Sequence, residues 1–426
     1  MSGNIFHKAV LTVGLLAAAG ITALADGGTH TGYAPYSIFG VGDLFPQGTA
    51  YNRTMGGVGI GVRNNRFLNP VNPAAVTARD SLAMMMDFSL YESNKIFTQG
   101  GTGSINNIFN LGNLMVSFPI WRSLSAMVGI MPYSSTGFDY SNSYPGVDDA
   151  VLLDVGNVAY SASGEGGLYQ LFGGLGFTLF DRLSLGGQYI WYFGKIEKKF
   201  SQTVGSSAAL GITDTYTSML RGGALKAGIQ YEQPIGSLKL TVGATYKTAA
   251  SMKGYIKDPS GQIDTLSHSG GLSFAGEIGA GLSLRKADKW MVAFDWTRSD
   301  WTLSGLDTRD AFAGTGFNLA VRDDYRLGFE YIPNRGDIRY YLKNCTYRAG
   351  LFYTGDYYTL DGNAVTTKGI SLGMTLPVFR WYNGITIGME LGQRDAVASN
   401  LIKERYINFT LGVNLFDIWF QKRRYE

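Results

Sequence analysis

Past Asp80 the chain repeats one pattern: apolar residues alternate with polar or small ones in runs of about ten or more, the period of an extended strand. Around Leu238 the apolar set is Leu238, Leu240, Val242, Ala244 and Tyr246, interleaved with Lys239, Thr241, Gly243, Thr245 and Lys247. Near the C-terminus Ile407, Phe409, Leu411, Val413 and Leu415 alternate with Asn408, Thr410, Gly412 and Asn414. A third run takes Leu272, Phe274, Ile278, Ala280, Leu282 and Leu284 as one apolar face. A soluble sandwich also alternates, so other features must decide. Here the strands are long, and their second face carries glycine, Ser, Thr and charge. Aromatics gather at strand ends, as in Tyr189-Trp191-Phe193, Trp290-Phe294-Trp296 and Trp419-Phe420. Those are marks of an all-β, transmembrane antiparallel barrel with an aromatic girdle at each interface. Strands in lipid must close on themselves, because an open edge leaves backbone groups unpaired.

Composition agrees. Charged residues make up only 16% of the chain, against about 25% in soluble domains, and glycine is abundant at 58 residues. Lys8, the apolar stretch Ala9 to Ala25 and the small residues Ala23-Leu24-Ala25 read as a secretory signal, 1–25, cleaved before Asp26. Beyond it no apolar run reaches about 18 residues, which excludes helical spans. Without Lys8 the 36 basic residues fall to 35 against 33 acidic ones, net +2, a balance with no sign of nucleic-acid binding. Cys345 is the single cysteine, so no intramolecular disulfide forms.

The alternating runs fall at 81–94, 104–119, 121–135, 164–180, 182–200, 214–233, 236–255, 269–285, 288–304, 317–332, 343–356, 365–379, 382–396 and 402–418. About fourteen strands is the even number that single-chain bacterial barrels take. Short connections at Pro119-Ile120-Trp121, Phe180-Asp181-Arg182, Pro234-Ile235-Gly236, Lys286-Ala287-Asp288 and Arg380-Trp381-Tyr382 alternate with long ones near 136–163, 201–213, 256–268 and 305–316. That layout places the barrel at 81–420 in a Gram-negative outer membrane, with the termini periplasmic. Only the turn near 333–342 is longer than the rule predicts. A basic tail, 421–426, follows.

Residues 26–80 lack alternation and are rich in turn chemistry, with Gly56-Gly57, Gly59 and Gly61, then Asn69-Pro70-Val71-Asn72-Pro73-Ala74-Ala75. A barrel of this size is too wide for wall side chains alone to fill. The economical place for 26–80 is inside it, as a plug.

The order of these parts resembles the outer-membrane long-chain fatty-acid and hydrocarbon transport porins. Asn72-Pro73-Ala74-Ala75 resembles that family's Asn-Pro-Ala motif before the first strand, and Tyr325-Arg326-Leu327-Gly328 and Tyr347-Arg348-Ala349-Gly350 resemble its later strands. The resemblance implies a hatch at 26–80 bearing Asn69, Pro70, Asn72, Pro73 and Ala74. It also implies sideways exit of a hydrophobic ligand through a gap at a kinked third strand. Strand three here contains Gly129 and Pro132. Proline cannot donate to a central ladder, so Pro132 marks either a break that opens such a gate or the strand's end.

On the face turned from lipid lie Asp87, Lys226, Lys247, Glu277, Asp295, Arg326, Arg348 and Glu390. A basic residue on the lipid face would cost about 2–4 kcal/mol at midplane, so inward is the consistent choice. Arg326 or Arg348 is able to grip a ligand carboxylate with two bonds. The favoured reading is structural, with these arginines holding the hatch and pairing with Glu277, Asp295 and Glu390.

Catalysis has little to work with. The histidines are His7 in the signal, His30 in the start and His268 in a loop, so no strand carries a base for a serine nucleophile. No Cys/His metal set exists, no cofactor is implied, and Asp148-Asp149 with Asp154 read as solvated loop charge. The expectation is passive transport of a fatty-acid-like hydrophobic small molecule. The alternative is a non-transporting barrel serving as adaptor or scaffold in an outer-membrane secretion or assembly complex, with a protein partner.

Overall fold

The computed structural model describes residues 32–79, 83–99, 101–121, 123–144, 158–204, 212–257, 260–266, 271–306, 316–337, 339–378, 383–396 and 402–418. The signal, His30, His268, the Asp148-Asp149-Asp154 group, Trp419-Phe420 and the basic tail lie outside them.

Fourteen antiparallel strands form one closed transmembrane barrel. They are β1 (Ala83–Gln99), β2 (Thr102–Pro119), β3 (Leu124–Ser135, resuming as Phe138–Tyr144), β4 (Val158–Leu179) and β5 (Leu183–Val204). Next come β6 (Ile212–Ile235), β7 (Leu238–Lys247 and Ala250–Lys257), β8 (Ile263–Leu266, Ser273–Phe274 and Glu277–Lys286) and β9 (Trp290–Asp300). The wall ends with β10 (Phe317–Leu319 and Val321–Tyr331), β11 (Thr346–Leu360), β12 (Asn363–Pro377), β13 (Gly384–Ala396) and β14 (Lys403–Ile418). Closure is β14 on β1, from Ala83↔Ile418 to Thr98↔Lys403.

The alternation does what a strand period requires. In β8 Ile278 and Leu282 are exposed toward lipid while Ser283 is buried inside. Along β14 Ile407, Phe409 and Leu411 point out, and Glu404, Thr410 and Asn414 point in. One apolar face was misjoined. Leu272 and Phe274 share parity with Ile278, but β8 is interrupted at Ala275-Gly276, and both side chains turn into the lumen. A register slip flips a strand's faces. The same happens in β7, where the break at Thr248-Ala249 carries Ala250 and Met252 inside.

These interruptions gather toward the end of the barrel opposite its first and last residues, here the loop end. Two of its connections are tight rather than long: β1–β2 turns at Gly101 (φ 88°) and β11–β12 at Asp361-Gly362 (φ 49° and 76°), all left-handed. At the other end the turns are short except between β10 and β11. That one holds the short helix α1 (Tyr341–Asn344). The N–H groups of Tyr340 and Arg339 bond Asp337 and hold its carboxyl below the usual range.

Candidate functional site

Residues 32–79 run inside the barrel. Their seat on β4, β5 and β6 is made of missing side chains. Asn72 caps the 3-10 helix Pro73–Ala78, its Oδ1 accepting from the Ala74 N–H at 3.0 Å. This turn lies on Gly176, Gly186 and Gly228, where a Cβ would overlap Val76, the Pro73-Ala74 backbone and Asn72. Asn72 Nδ2 donates to the Ile60 carbonyl at 2.9 Å and to Ile229 of the wall at 3.1 Å. Asn69 Nδ2 donates to the Gly59 and Val62 carbonyls at 2.7 and 3.1 Å. Asparagine suits both places because one side chain offers acceptor and donors at once. Pro70 and Pro73 add fixed φ between these clasps.

Toward β8–β12 the segment is held by charge and hydroxyls. Asp295 Oδ2 accepts the N–H groups of Gly59 and Ile60 at 2.6 and 2.8 Å. Ser283 donates to the Gly61 carbonyl at 2.7 Å, and Arg326 to that of Gly56 at 3.2 Å. Arg348 is 3.1 Å from Glu330, donates to Thr375 at 2.7 Å, and lies over the Tyr51 and Phe67 rings at 4.4 and 4.7 Å.

The eight charges read from sequence are therefore not one network. Lys226 and Lys247 converge on Glu277, at 3.9 and 3.5 Å. Arg326 pairs with Asp324 at 3.4 Å, and Arg348 with Glu330, which also takes Arg285 at 3.1 Å. The two arginines make their ion pairs with Asp324 and Glu330, while Arg326 also acts through space on Asp295 and Glu390, two of the three carboxylates expected for them. Asp87 accepts from Asn113 at 2.7 Å, and Glu390 from Asn408 at 3.4 Å. Asp295 spends its charge on backbone.

A second cluster escaped the sequence reading. Arg394 lies 2.7 Å from both Asp43 and Asp356, and donates to Tyr358 Oη at 2.7 Å. Lys95 bridges Glu404 at 2.7 Å and Asp43 at 3.3 Å. Arg394 shares parity with Glu390, and Lys95 with Asp87, so the wall half was readable. Asp43 sits in a segment without period and gave no signal.

Among the described residues the remaining space is divided into separate, charge-lined pockets. One cavity of about 150 Å³ is lined by Arg53, Lys95, Arg322, Arg326, Glu390 and Arg394 among others. A second, of about 90 Å³, is lined by Lys226, Lys247, Glu277, Asp295 and Arg322. Above them the apolar side chains turned inward by strand interruptions pack solidly. Tyr133 and Tyr192 rings are 4.6 Å apart, Trp301 and Tyr357 4.8 Å, and Phe39 stacks on Phe317 at 5.1 Å.

The wall changes character at β3. The β2–β3 ladder runs only from Leu114↔Ile130 to Pro119↔Ser125. Beyond Ile130, β3 bends inward with a register shift between Pro132 and Ser134, and Ser134 and Ser135 pair with Leu44 and Asp43 of the N-terminal segment. Pro132 thus stands at a bulge and not at the strand's end. Gly129 lies three residues before it, where a Cβ would press on Met115 and Phe172. Among the described residues Thr102–Asn113 has no ladder partner on that side, and Ile105 and Phe109 are 76% and 64% exposed.

A family model described as BamG matches residues 6–426. The chain belongs to the BamG family. No curated protein matches its sequence. Solved structures share the fold of this BamG-family barrel. They include the Ralstonia pickettii toluene transporter TbuX, at 14% identity, covering 87% of this chain and 98% of that one with a TM-score of 0.57. The Pseudomonas putida toluene transporter TodX follows at 15% identity, 89% and 99% coverage and TM-score 0.56. A Pseudomonas aeruginosa FadL homologue matches at 12% identity, 88% and 99% coverage and TM-score 0.52. The BamG-family chain is accordingly an outer-membrane β-barrel of the fold that the sequence resemblance implied.

Proposed function

We propose that this barrel acts as a non-transporting subunit, an adaptor or scaffold, of an outer-membrane secretion or barrel-assembly complex, with residues 32–79 as a permanent plug. The observation that carries this reading is the filled lumen. Sites for small apolar ligands are typically roughly 300–1,000 Å³ and mostly apolar. Among the described residues the two pockets beside the mid-wall are about 150 and 90 Å³ and ringed by charge, and a third of about 320 Å³, at the end that carries the short turns, is lined by Arg63, Arg66, Glu232, Lys239, Arg285 and Asp288 and is polar as well. The apolar side chains that would line a hydrocarbon path are packed on one another and on Tyr36, Ile38 and Phe39. The family name, BamG, agrees. In this reading Asn69, Pro70, Asn72, Pro73 and Ala74 lock the plug, the lumenal charges hold it in register, and the long loops face outward with both termini periplasmic. Nothing in it requires catalysis.

The second reading is passive transport of a hydrophobic small molecule with sideways exit near Gly129 and Pro132. It is favoured by the short β2–β3 ladder and by likeness of fold to the toluene transporters TbuX and TodX. Purification from native membranes in mild detergent separates the two. The scaffold reading expects a stable larger complex and no uptake of a hydrophobic probe by liposomes carrying the isolated barrel. A lone barrel that does take up the probe would overturn it.

A further inference from the structure

The outer wall carries a feature that neither reading uses. Outward residues of neighbouring strands form rows fixed by register. One row runs Trp296↔Tyr325, Tyr325↔Tyr353, Tyr353↔Lys368, Lys368↔Gln393 and Gln393↔Arg405. Its first half is an aromatic girdle, the mark of the membrane–water interface. Its second half replaces aromatics with two cations. Lys368 and Arg405 are exposed, and among the described residues neither makes an ion pair. They are two strand spacings apart, about 10 Å at the backbone, within joint reach of long flexible side chains.

The next outward row is wholly apolar: Leu351↔Ile370, Ile370↔Leu391 and Leu391↔Ile407. Together the two rows border a shallow cleft of about 640 Å³ on the outside of the wall, which Ile96 also lines. Unpaired cations at girdle level above an apolar floor complement one class of molecule. It has an anionic phosphate head and acyl chains parallel to the strands. A soluble acidic partner would have no use for the floor. An uncharged lipid would leave the cations without a counter-ion, each being worth about 1 kcal/mol near an anionic surface.

We propose that this cleft binds one phosphorylated lipid of the leaflet at the loop end, its phosphate held between Lys368 and Arg405 and its chains on Leu351, Ile370, Leu391 and Ile407. The test exchanges the full chain, in mild detergent, into an equimolar mixture of monophosphoryl lipid A and phosphatidylethanolamine. Native mass spectrometry then reads the lipid retained per barrel. The wild type should retain the phosphorylated glycolipid, and the Lys368→Gln/Arg405→Gln double variant should retain about thirtyfold less. Arg221 and Lys253, an exposed cross-strand pair elsewhere on the wall, supply the comparison as Arg221→Gln/Lys253→Gln. That variant should retain lipid as the wild type does. Equal loss in both double variants, unchanged retention in the first, or indifference of the wild type between the two lipids would overturn the proposal.

Discussion

The N-terminal segment 32–79 is held differently on two sides of the lumen. Against β4–β6 it lies on glycine, the Pro73-Ala74 backbone over Gly186 and the Asn72 and Pro73 side chains over Gly228. Against β8–β12 it is held by buried charge, from Asp295 to the Gly59 and Ile60 N–H groups and by Arg348 in its pocket of Glu330, Thr375, Tyr51 and Phe67. A glycine seat is a shape and tolerates no added atom. A charged seat is a set of mutual debts, in which removing one partner strands another. The first makes the segment fit; the second makes withdrawing it costly.

Breaking the charged side should have the largest effect. Arg348→Met keeps volume but leaves Glu330, itself 1% exposed, with Arg285 as its remaining cation. Removing one member of a buried pair typically costs about 3–5 kcal/mol. The expected outcome is a drop of that size in unfolding free energy, measured by denaturant titration in detergent. A loss under about 1 kcal/mol would mean the charged seat adds little, and the contrast between the two sides would fall.

Gly186→Ala tests the other side with a single carbon. Its Cβ would strike the Pro73-Ala74 backbone, which cannot swing away as a side chain does. Overpacking of this kind costs about 1–3 kcal/mol, smaller than the charge deletion. The expected signature is a lower denaturation midpoint together with ion conductance in planar bilayers, as Pro73–Ala78 lifts from its seat. Gly187 is the built-in comparison, since a Cβ there meets nothing and Gly187→Ala should be silent. If both variants behave alike, the seat is not what holds the turn.

How much of this was legible in the sequence follows from the same contrast. Period-two alternation displays the wall, because every second side chain must face lipid, and the strand number and the inward placement of Asp295, Arg326 and Arg348 come from it. Partners do not. Glu330 shares a face with Arg326, yet nothing in the spacing says that it, and not Glu277, meets Arg348 across the ladder; that is decided by the Glu330↔Arg348 register. The glycine seat was visible only as an abundance of glycine. Interruptions such as Ala275-Gly276 were invisible as well, since they change the meaning of parity without changing the residues that carry it.

Pro132→Val, the mildest change, bears on whether the wall has a use where its ladder fails. Valine restores the missing N–H and favours extended backbone, but β3 is drawn inward by its pairing with Asp43 and Leu44 as well as by proline. Two causes hold the bend, so removing one should shift stability by less than about 1 kcal/mol. With the lumen filled as it is, uptake of a hydrophobic fluorescent probe into liposomes should stay at background for wild type and variant alike, and the native complex should survive the substitution. Uptake by the wild type that falls in the variant would give the breach a transport role and move the function to the second reading. Loss of the native complex with uptake at background would instead make the unpaired edge of β2, with Ile105 and Phe109 laid open, the surface on which the partner sits. Either departure would tie function to the broken sector of the wall; the expected silence leaves it with the filled lumen.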